Sequence, residues 1–282
     1  MVDHPVRFAW YELMTTDVAA ARAFYADVVG WGTEDVSTPG HAYVQFSAGA
    51  TAVAGLLELP EEAQKKGATP RWEGYLGSAD VAATAAQFKR LGGTVFVPPT
   101  DANIGRIAVV ADPEGASLAL VEGLKVGAPR PAGLAEPGHV GWHELYATDH
   151  DTALAFYGEI FGWRRARDET APPDAASPYR LFAAGPQTLG GILHKPAWSP
   201  VPFWLYYFNV ANIDAALQRV VSGGGQVFVG PDELPGGTLF ARCSDPQGGG
   251  FALQGPRTKD SFVWSTNWGE FSSRGRLVTK PR

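Results

Sequence analysis

The chain repeats itself. AWYELMTTDVAAARAFYADVVGW at residues 9–31 returns as GWHELYATDHDTALAFYGEIFGW at residues 141–163, with Trp, Glu, Leu, Thr, Asp, Ala, Phe, Tyr, Gly and Trp in the same order. The spacing is 132 residues at both ends, from Trp10 to Trp142 and from Trp31 to Trp163. A chain built by tandem duplication has to satisfy one local pattern twice, which restricts it to folds made of paired modules.

Within each copy the pattern specifies a strand, a cap and a helix. Phe8, Trp10, Glu12 and Met14 alternate with Ala9, Tyr11 and Leu13, a period of two that predicts a strand. Asp17 stands where an N-cap carboxylate accepts from the first turn of a helix. Ala21, Phe24, Tyr25 and Val28 then fall on one helical stripe, and Gly30 suits a left-handed C-terminal residue. Asp149, the stripe Ala153, Phe156, Tyr157 and Ile160, and Gly162 repeat the scheme.

Further pairs follow along the chain. HAYVQFSAG and TAVAGLLEL read as strands, and YRLFAAG matches YVQFSAG. Residues 60–70 read as a polar loop, and 72–76 and 204–210 as matching strands. Asp80 and Asn212 cap second helices, and DPEG at Asp112 matches DPQG at Asp245. This order predicts an α+β chain of tandem βαβββ modules, two per copy. The expected divisions are a first copy at 1–125, a linker at 126–137 rich in Gly, Ala and Pro, a second copy at 138–256, and an aromatic tail at 257–282. Phe262, Trp264, Trp268 and Phe271 make that tail a candidate cover for a cavity mouth or a partner subunit.

Composition narrows the partners. A hydrophobic fraction of 45% with 18% charged residues suits a globular domain. A net charge of −6 provides no basic footprint, so nucleic acid is not expected. No apolar run approaches the ~18 residues of a membrane helix. Cys243 is the sole cysteine, so no intrachain disulfide can form, and with no signal peptide in MVDHPVRFAW the expected compartment is the cytoplasm. Cys243 reads as a small core residue rather than a nucleophile. Gly223–Gly225 follows a helix, so it is a cap and not a dinucleotide loop.

A strand, T-D, the A-F-Y helix, G-W and a later D-P-x-G turn together resemble the glyoxalase/bleomycin-resistance/dioxygenase family, the vicinal oxygen chelate superfamily, and especially its two-copy actinobacterial hydroxylase and antigen-like members. The resemblance implies curved, half-open mixed sheets with flanking helices and a ligand on the concave face. How the copies combine stays open: they form one pseudo-twofold unit, or they share a barrel. The family's metal ligands would fall at Trp10 and Trp142, near Glu73 and Leu205, and at Ala119 and Ala252. An indole N–H has no lone pair for a metal and alanine has no donor, so neither metal nor other cofactor is expected. His143 would face away from Trp142. His41 and His194 are isolated histidines.

The expected cavity then has aromatic walls and a few carboxylates. Trp10, Trp142, Phe8, Tyr75, Tyr146, Tyr207, Asn209 and Gln254 are the candidate ligand contacts. Glu12, Glu144 and Glu73 are the candidate acid–base groups, since burial against aromatic rings raises a carboxyl pKa toward neutrality. The same glutamates could instead only order the wall. One expected function is a metal-independent tailoring enzyme, of hydroxylase, lyase or isomerase type, acting on an aromatic or polyketide-like small molecule. The alternatives are a binding protein that sequesters a toxic compound, and a metal-dependent glyoxalase or dioxygenase. A homodimer is compatible with each.

Overall fold

The caps act as the residues suggest. In a computed structural model that describes residues 6–126, 135–166, 179–234 and 237–257, Asp17, Asp80, Asp149 and Asn212 each accept from the backbone N–H three residues ahead. They start α1 (Val18–Val29), α3 (Val81–Arg90), α4 (His150–Phe161) and α5 (Ile213–Ser222). Gly30 and Gly162 end α1 and α4 at φ 84° and 70°, a conformation that glycine adopts without a Cβ penalty. The expected polar loop carries one additional element, α2 (Glu61–Lys65), where Pro60 sets the entry and Lys65 pairs with Glu61 and Glu62.

The strands of the first copy are β1 (Phe8–Thr15), β2 (Gly32–Asp35), β3 (Val44–Ala48), β4 (Thr51–Glu58), β5 (Arg71–Gly77), β6 (Thr94–Ala102), β7 (Gly105–Ala111) and β8 (Ser117–Glu122). Those of the second are β9 (Val140–Ala147), β10 (Arg164–Arg165), β11 (Arg180–Ala184), β12 (Gln187–His194), β13 (Phe203–Asn209), β14 (Gln226–Glu233), β15 (Leu239–Ser244) and β16 (Gly250–Gly255). The first sheet has the order β2-β3-β4-β1-β5-β8-β7-β6, and the second repeats it as β10-β11-β12-β9-β13-β16-β15-β14. In each, β1 and β4 or their counterparts run parallel, as do β5 and β8, while the two halves join antiparallel through β1 and β5. Each copy therefore completes its own open eight-stranded sheet from two βαβββ modules. No strand crosses between copies among the described residues, which removes the shared-barrel arrangement.

The copies meet through their helices and the outer faces of their sheets. One continuous core takes Leu13, Tyr25, Trp31 and Phe88 from the first copy and Leu145, Tyr157, Trp163 and Phe208 from the second. Its polar contacts come in reciprocal pairs. Tyr25 donates to Asp245 Oδ2 and Tyr157 to Asp112 Oδ2, both at 3.0 Å. Trp31 Nε1 donates to the Gly138 carbonyl at 2.7 Å and Trp163 Nε1 to that of Val6 at 2.9 Å. Two positions meet their own counterparts: Tyr11 Oη lies 2.6 Å from His143 Nε2, and Gly74 N–H donates to Tyr206 Oη at 2.8 Å, each pair 132 residues apart. Such self-contacts place the pseudo-twofold axis between β1 and β9 and between β5 and β13. The A-F-Y tyrosines, the G-W tryptophans and the aspartates of the D-P-x-G turns are thus the fastening between copies. The turn aspartates serve twice, since their Oδ1 atoms also accept from the backbone of their own turns.

Two smaller clusters line the concave faces. One gathers Trp10, Tyr43, Tyr75, Ile104 and Ala119. The other gathers Tyr146, Tyr179, Leu205, Tyr207, Phe240 and Ala252, with Trp142 packed against it. The linker residues 127–134 and the aromatic tail from residue 258 lie outside the described residues. Arg257, the tail's first residue, pairs with Asp214 at 2.7 and 3.1 Å.

Candidate functional site

The concave face of the first copy is organised around Glu12, which is 5% exposed. Strand alternation puts it on the same side of β1 as Trp10, and its direct antiparallel partner on β5 is Glu73. Tyr43 donates to Glu12 Oε1 at 2.6 Å, and Tyr75 donates to Oε2. Trp10 Nε1 donates to Tyr43 Oη at 3.0 Å, so the indole orients the phenol that holds the carboxylate. Burial pushes the Glu12 carboxyl above its usual range, and the Tyr43, Tyr75 and Trp10 hydrogen bonds pull against that rise. Glu73, 1% exposed, accepts through Oε2 from Arg71 Nε at 3.0 Å and Ser117 Oγ at 3.2 Å. Its other oxygen, Oε1, is buried without a hydrogen-bond partner among the described residues. Burial raises this carboxyl as well, against the pull of Arg71. The first concave face therefore joins Glu12, Glu73, Trp10 and Tyr75 as the sequence suggests.

The second face has the same scaffold and a different charge balance. Glu144 accepts from Tyr146 at 3.1 Å, Tyr179 at 2.9 Å and Tyr207 at 2.7 Å. Trp142 Nε1 donates to Tyr179 Oη at 2.9 Å, as Trp10 does to Tyr43. Arg242 completes the shell: Nη2 lies 3.3 and 3.2 Å from the two Glu144 oxygens, and the guanidinium sits over the Tyr146 and Phe240 rings at 5.7 and 5.2 Å. Leu205 occupies the register position of Glu73, opposite Glu144.

Phe8 departs from its expected place. Phe8 pairs with Leu76 and Trp10 with Tyr75, so β1 carries one extra residue in a β-bulge. The bulge turns Phe8 to the opposite face, where it stacks on His143 at 4.1 Å between the copies. The matching bulge in β9 does the same to Val140. Asn209 and Gln254 lie side by side on β13 and β16, where Gln254 Nε2 donates to Asn209 Oδ1 at 2.7 Å. Asn209 also donates to the Glu136 carbonyl at 2.9 Å, which fastens the segment entering β9.

Sequence reasoning passed over three parts of these sites. Tyr43 and Tyr179 open the matching YVQF and YRLF strands, and that identity was the available signal. Gly55 and Gly191 sit directly beside Glu12 and Glu144. A Cβ on Gly55 would lie 1.8 Å from Tyr43 Oη, and one on Gly191 would lie 2.1 Å from Tyr179 Cζ. Only glycine lets the phenol cross the strand and reach the carboxylate. Arg242 carried no signal, because its counterpart Val109, paired with Ala119 as Arg242 is with Ala252, is apolar.

Other candidates resolve as packing. His143 faces the core between the copies, with Nδ1 2.7 Å from the Leu189 carbonyl. A carbonyl only accepts, so Nδ1 carries the proton and Nε2 accepts from Tyr11. Burial lowers the imidazole to about 4. Cys243 is buried, and burial pushes its thiol up to about 12, as an unreactive core residue requires. No helix among the described residues is long and apolar enough to cross a membrane.

Both halves match the model of the glyoxalase/bleomycin resistance protein/dioxygenase superfamily, at residues 7–120 and 137–253. The chain belongs to that superfamily. It is 34% identical over 251 residues to “Putative glyoxylase CFP32” of Mycobacterium tuberculosis, covering 88% of this chain and 94% of that protein. It is 32% identical over 266 residues to “Anthracycline biosynthesis protein DauV” of Streptomyces sp., covering 87% and 91%. Among solved structures, the 2,3-dioxygenase LapB from Pseudomonas superposes with a TM-score of 0.62 at 14% identity, covering 91% of this chain and 94% of that one. The Mn(II)-bound glyoxalase from Novosphingobium aromaticivorans gives 0.59 at 19% identity, covering 90% and 83%.

The residues of this chain at the positions where the family resemblance places metal ligands do not make a donor set for a metal. Those positions hold Trp10, Glu73 and Ala119 in one copy and Trp142, Leu205 and Ala252 in the other. Both indole nitrogens donate to tyrosine oxygens, and among the described residues no group of three or more His, Cys, Asp or Glu side chains is arranged to hold an ion.

Proposed function

We propose that this protein binds a planar aromatic small molecule on the concave face of its first copy and transforms it by proton transfer at Glu12, without a bound metal. The observation that carries this reading is the facing pair Glu12 and Glu73, both buried and both raised in pKa. Two adjacent carboxyls resist ionising together, so one holds a proton while the other accepts one. Glu12 is the base, oriented by Tyr43 and Tyr75, and Glu73 is the acid that returns a proton. Proton removal and return suits a lyase or isomerase step. DauV, named for anthracycline biosynthesis, supports natural-product tailoring of a polyketide-like ligand.

Sequestration without turnover is the second reading, and Glu144 favours it. Three tyrosines and Arg242 saturate that carboxylate, which leaves it a structural post in an aromatic wall. To separate the readings, the molecule that co-purifies from the native host is identified by native mass spectrometry and supplied in excess to chelator-treated protein. The proposal expects continued conversion and sub-stoichiometric metal by elemental analysis. Return of the molecule unchanged supports sequestration. About one metal per chain, lost together with activity on chelation, would contradict the metal-independent reading.

A further inference from the structure

We propose that the first concave face holds the cationic group of its ligand, a protonated amine on an aromatic body, at the place that the Arg242 guanidinium occupies in the second. This rests on the reading of the first face as the ligand site and names the ligand class.

The two copies differ where charge is concerned. At the register of Arg242 the first copy has Val109, at that of Phe240 it has Ile107, and at that of Leu205 it has Glu73. The second face thus balances one carboxylate with one internal cation. The first face carries two carboxylates and has shorter side chains where the cation would lie. Among the described residues no cationic side chain is bonded to Glu12, and the one bonded to Glu73 is Arg71, at the Oε2 that Ser117 Oγ also reaches. The buried Oε1 of Glu73 has no hydrogen-bond partner among the described residues. Leaving such an oxygen unpaired costs free energy that a donor from outside the chain recovers.

The second copy shows how a cation sits on this scaffold. Arg242 meets both oxygens of Glu144 and lies over two aromatic rings. An ammonium at the matching place would meet Glu12 and Glu73, with Trp10, Tyr43 and Tyr75 around it, the combination of carboxylate and π surface that suits an organic cation. A pocket of about 580 Å³ lies beside this cluster. His41 and Leu57, which line it, also pack in the ring cluster, His41 against Tyr43 at 5.9 Å. Glu58 adds a further carboxylate to the pocket wall.

The test uses the full chain and two matched probes, 1-naphthylmethylammonium and 1-naphthylmethanol, titrated calorimetrically at pH 7. The ammonium probe is expected to bind one site per chain at least about tenfold tighter than the alcohol, the usual worth of one charge-assisted contact. Glu73→Gln should reduce that preference about tenfold. Val109→Arg, which installs the second copy's cation, should abolish it, with folding checked by thermal denaturation. Should Val109→Arg fail to fold, Glu73→Gln alone decides. Equal affinities for the two probes overturn the inference, and so does an ammonium preference untouched by Glu73→Gln. Binding of the alcohol alone overturns it while leaving the aromatic site standing. Binding of neither probe also overturns it, and conversion of the host-derived molecule then judges the acid–base reading separately.

Discussion

At the scale of single residues, burial sets the chemistry. His143 and the acidic groups respond to it in opposite directions, so their contributions to stability can be separated. The His143 imidazole falls from 6.5 in the unfolded chain to about 4 in the fold, because burial disfavours its cation. Its contribution is complete above pH 6.5 and is lost as pH falls through 4, a change on the order of 3 kcal/mol. Glu12, Glu73, Asp112 and Asp245 are raised, so their ionisation destabilises the fold as pH climbs through their folded pKa values. His143→Gln has no titrating ring. Its unfolding free energy between pH 6.5 and 4 should therefore fall less steeply than that of wild type, by about that amount. Parallel profiles in chemical denaturation would show that His143 is not held neutral by the core.

At the scale of elements, a strand's alternation determines which side chains share a face, and a single glycine or bulge decides what they reach. The capping aspartates, the helical stripes and the inward side of Trp10 and Glu12 were readable because each depends on neighbours in sequence. Phe8 was misplaced because a bulge inserts one residue and flips the alternation, and nothing local to FAWYEL marks it. Tyr43 and Arg242 were missed because each meets its carboxylate across strands distant in sequence. Gly55 has a specific consequence. Gly55→Ala places a Cβ against Tyr43 Oη and should cost about 1–3 kcal/mol by thermal denaturation, with Tyr43 forced from Glu12. In a Tyr43→Ala background the same change should be nearly silent, and an equal cost in both backgrounds would place the strain elsewhere.

At the scale of the whole molecule, a twofold interface needs each of its residues twice, which explains why the A-F-Y tyrosines, the G-W tryptophans and the turn aspartates recur as fastenings. Tyr25→Phe and Tyr157→Phe each strip a buried partner from the aspartate of the opposite copy. Each should cost about 1–3 kcal/mol in chemical denaturation, and a negligible cost for either would break the symmetry of this account. Duplication was thus legible as fold, and so was the divergence of Glu73 from Leu205, while that of Val109 from Arg242 was not; the difference between the faces rests on the whole exchange of Glu73 and Val109 for Leu205 and Arg242. That exchange leaves one copy with two facing buried carboxyls and the other with a carboxylate paired to Arg242. The direct measurement is the turnover rate, on a substrate the wild type is known to convert, of Glu12→Gln beside Glu144→Gln. The account predicts that Glu12→Gln binds that substrate but slows its conversion by roughly 100- to 10,000-fold, the worth of a positioned base, while Glu144→Gln stays near the wild-type rate. Equal rates for wild type and both variants, or a loss confined to Glu144→Gln, would contradict it.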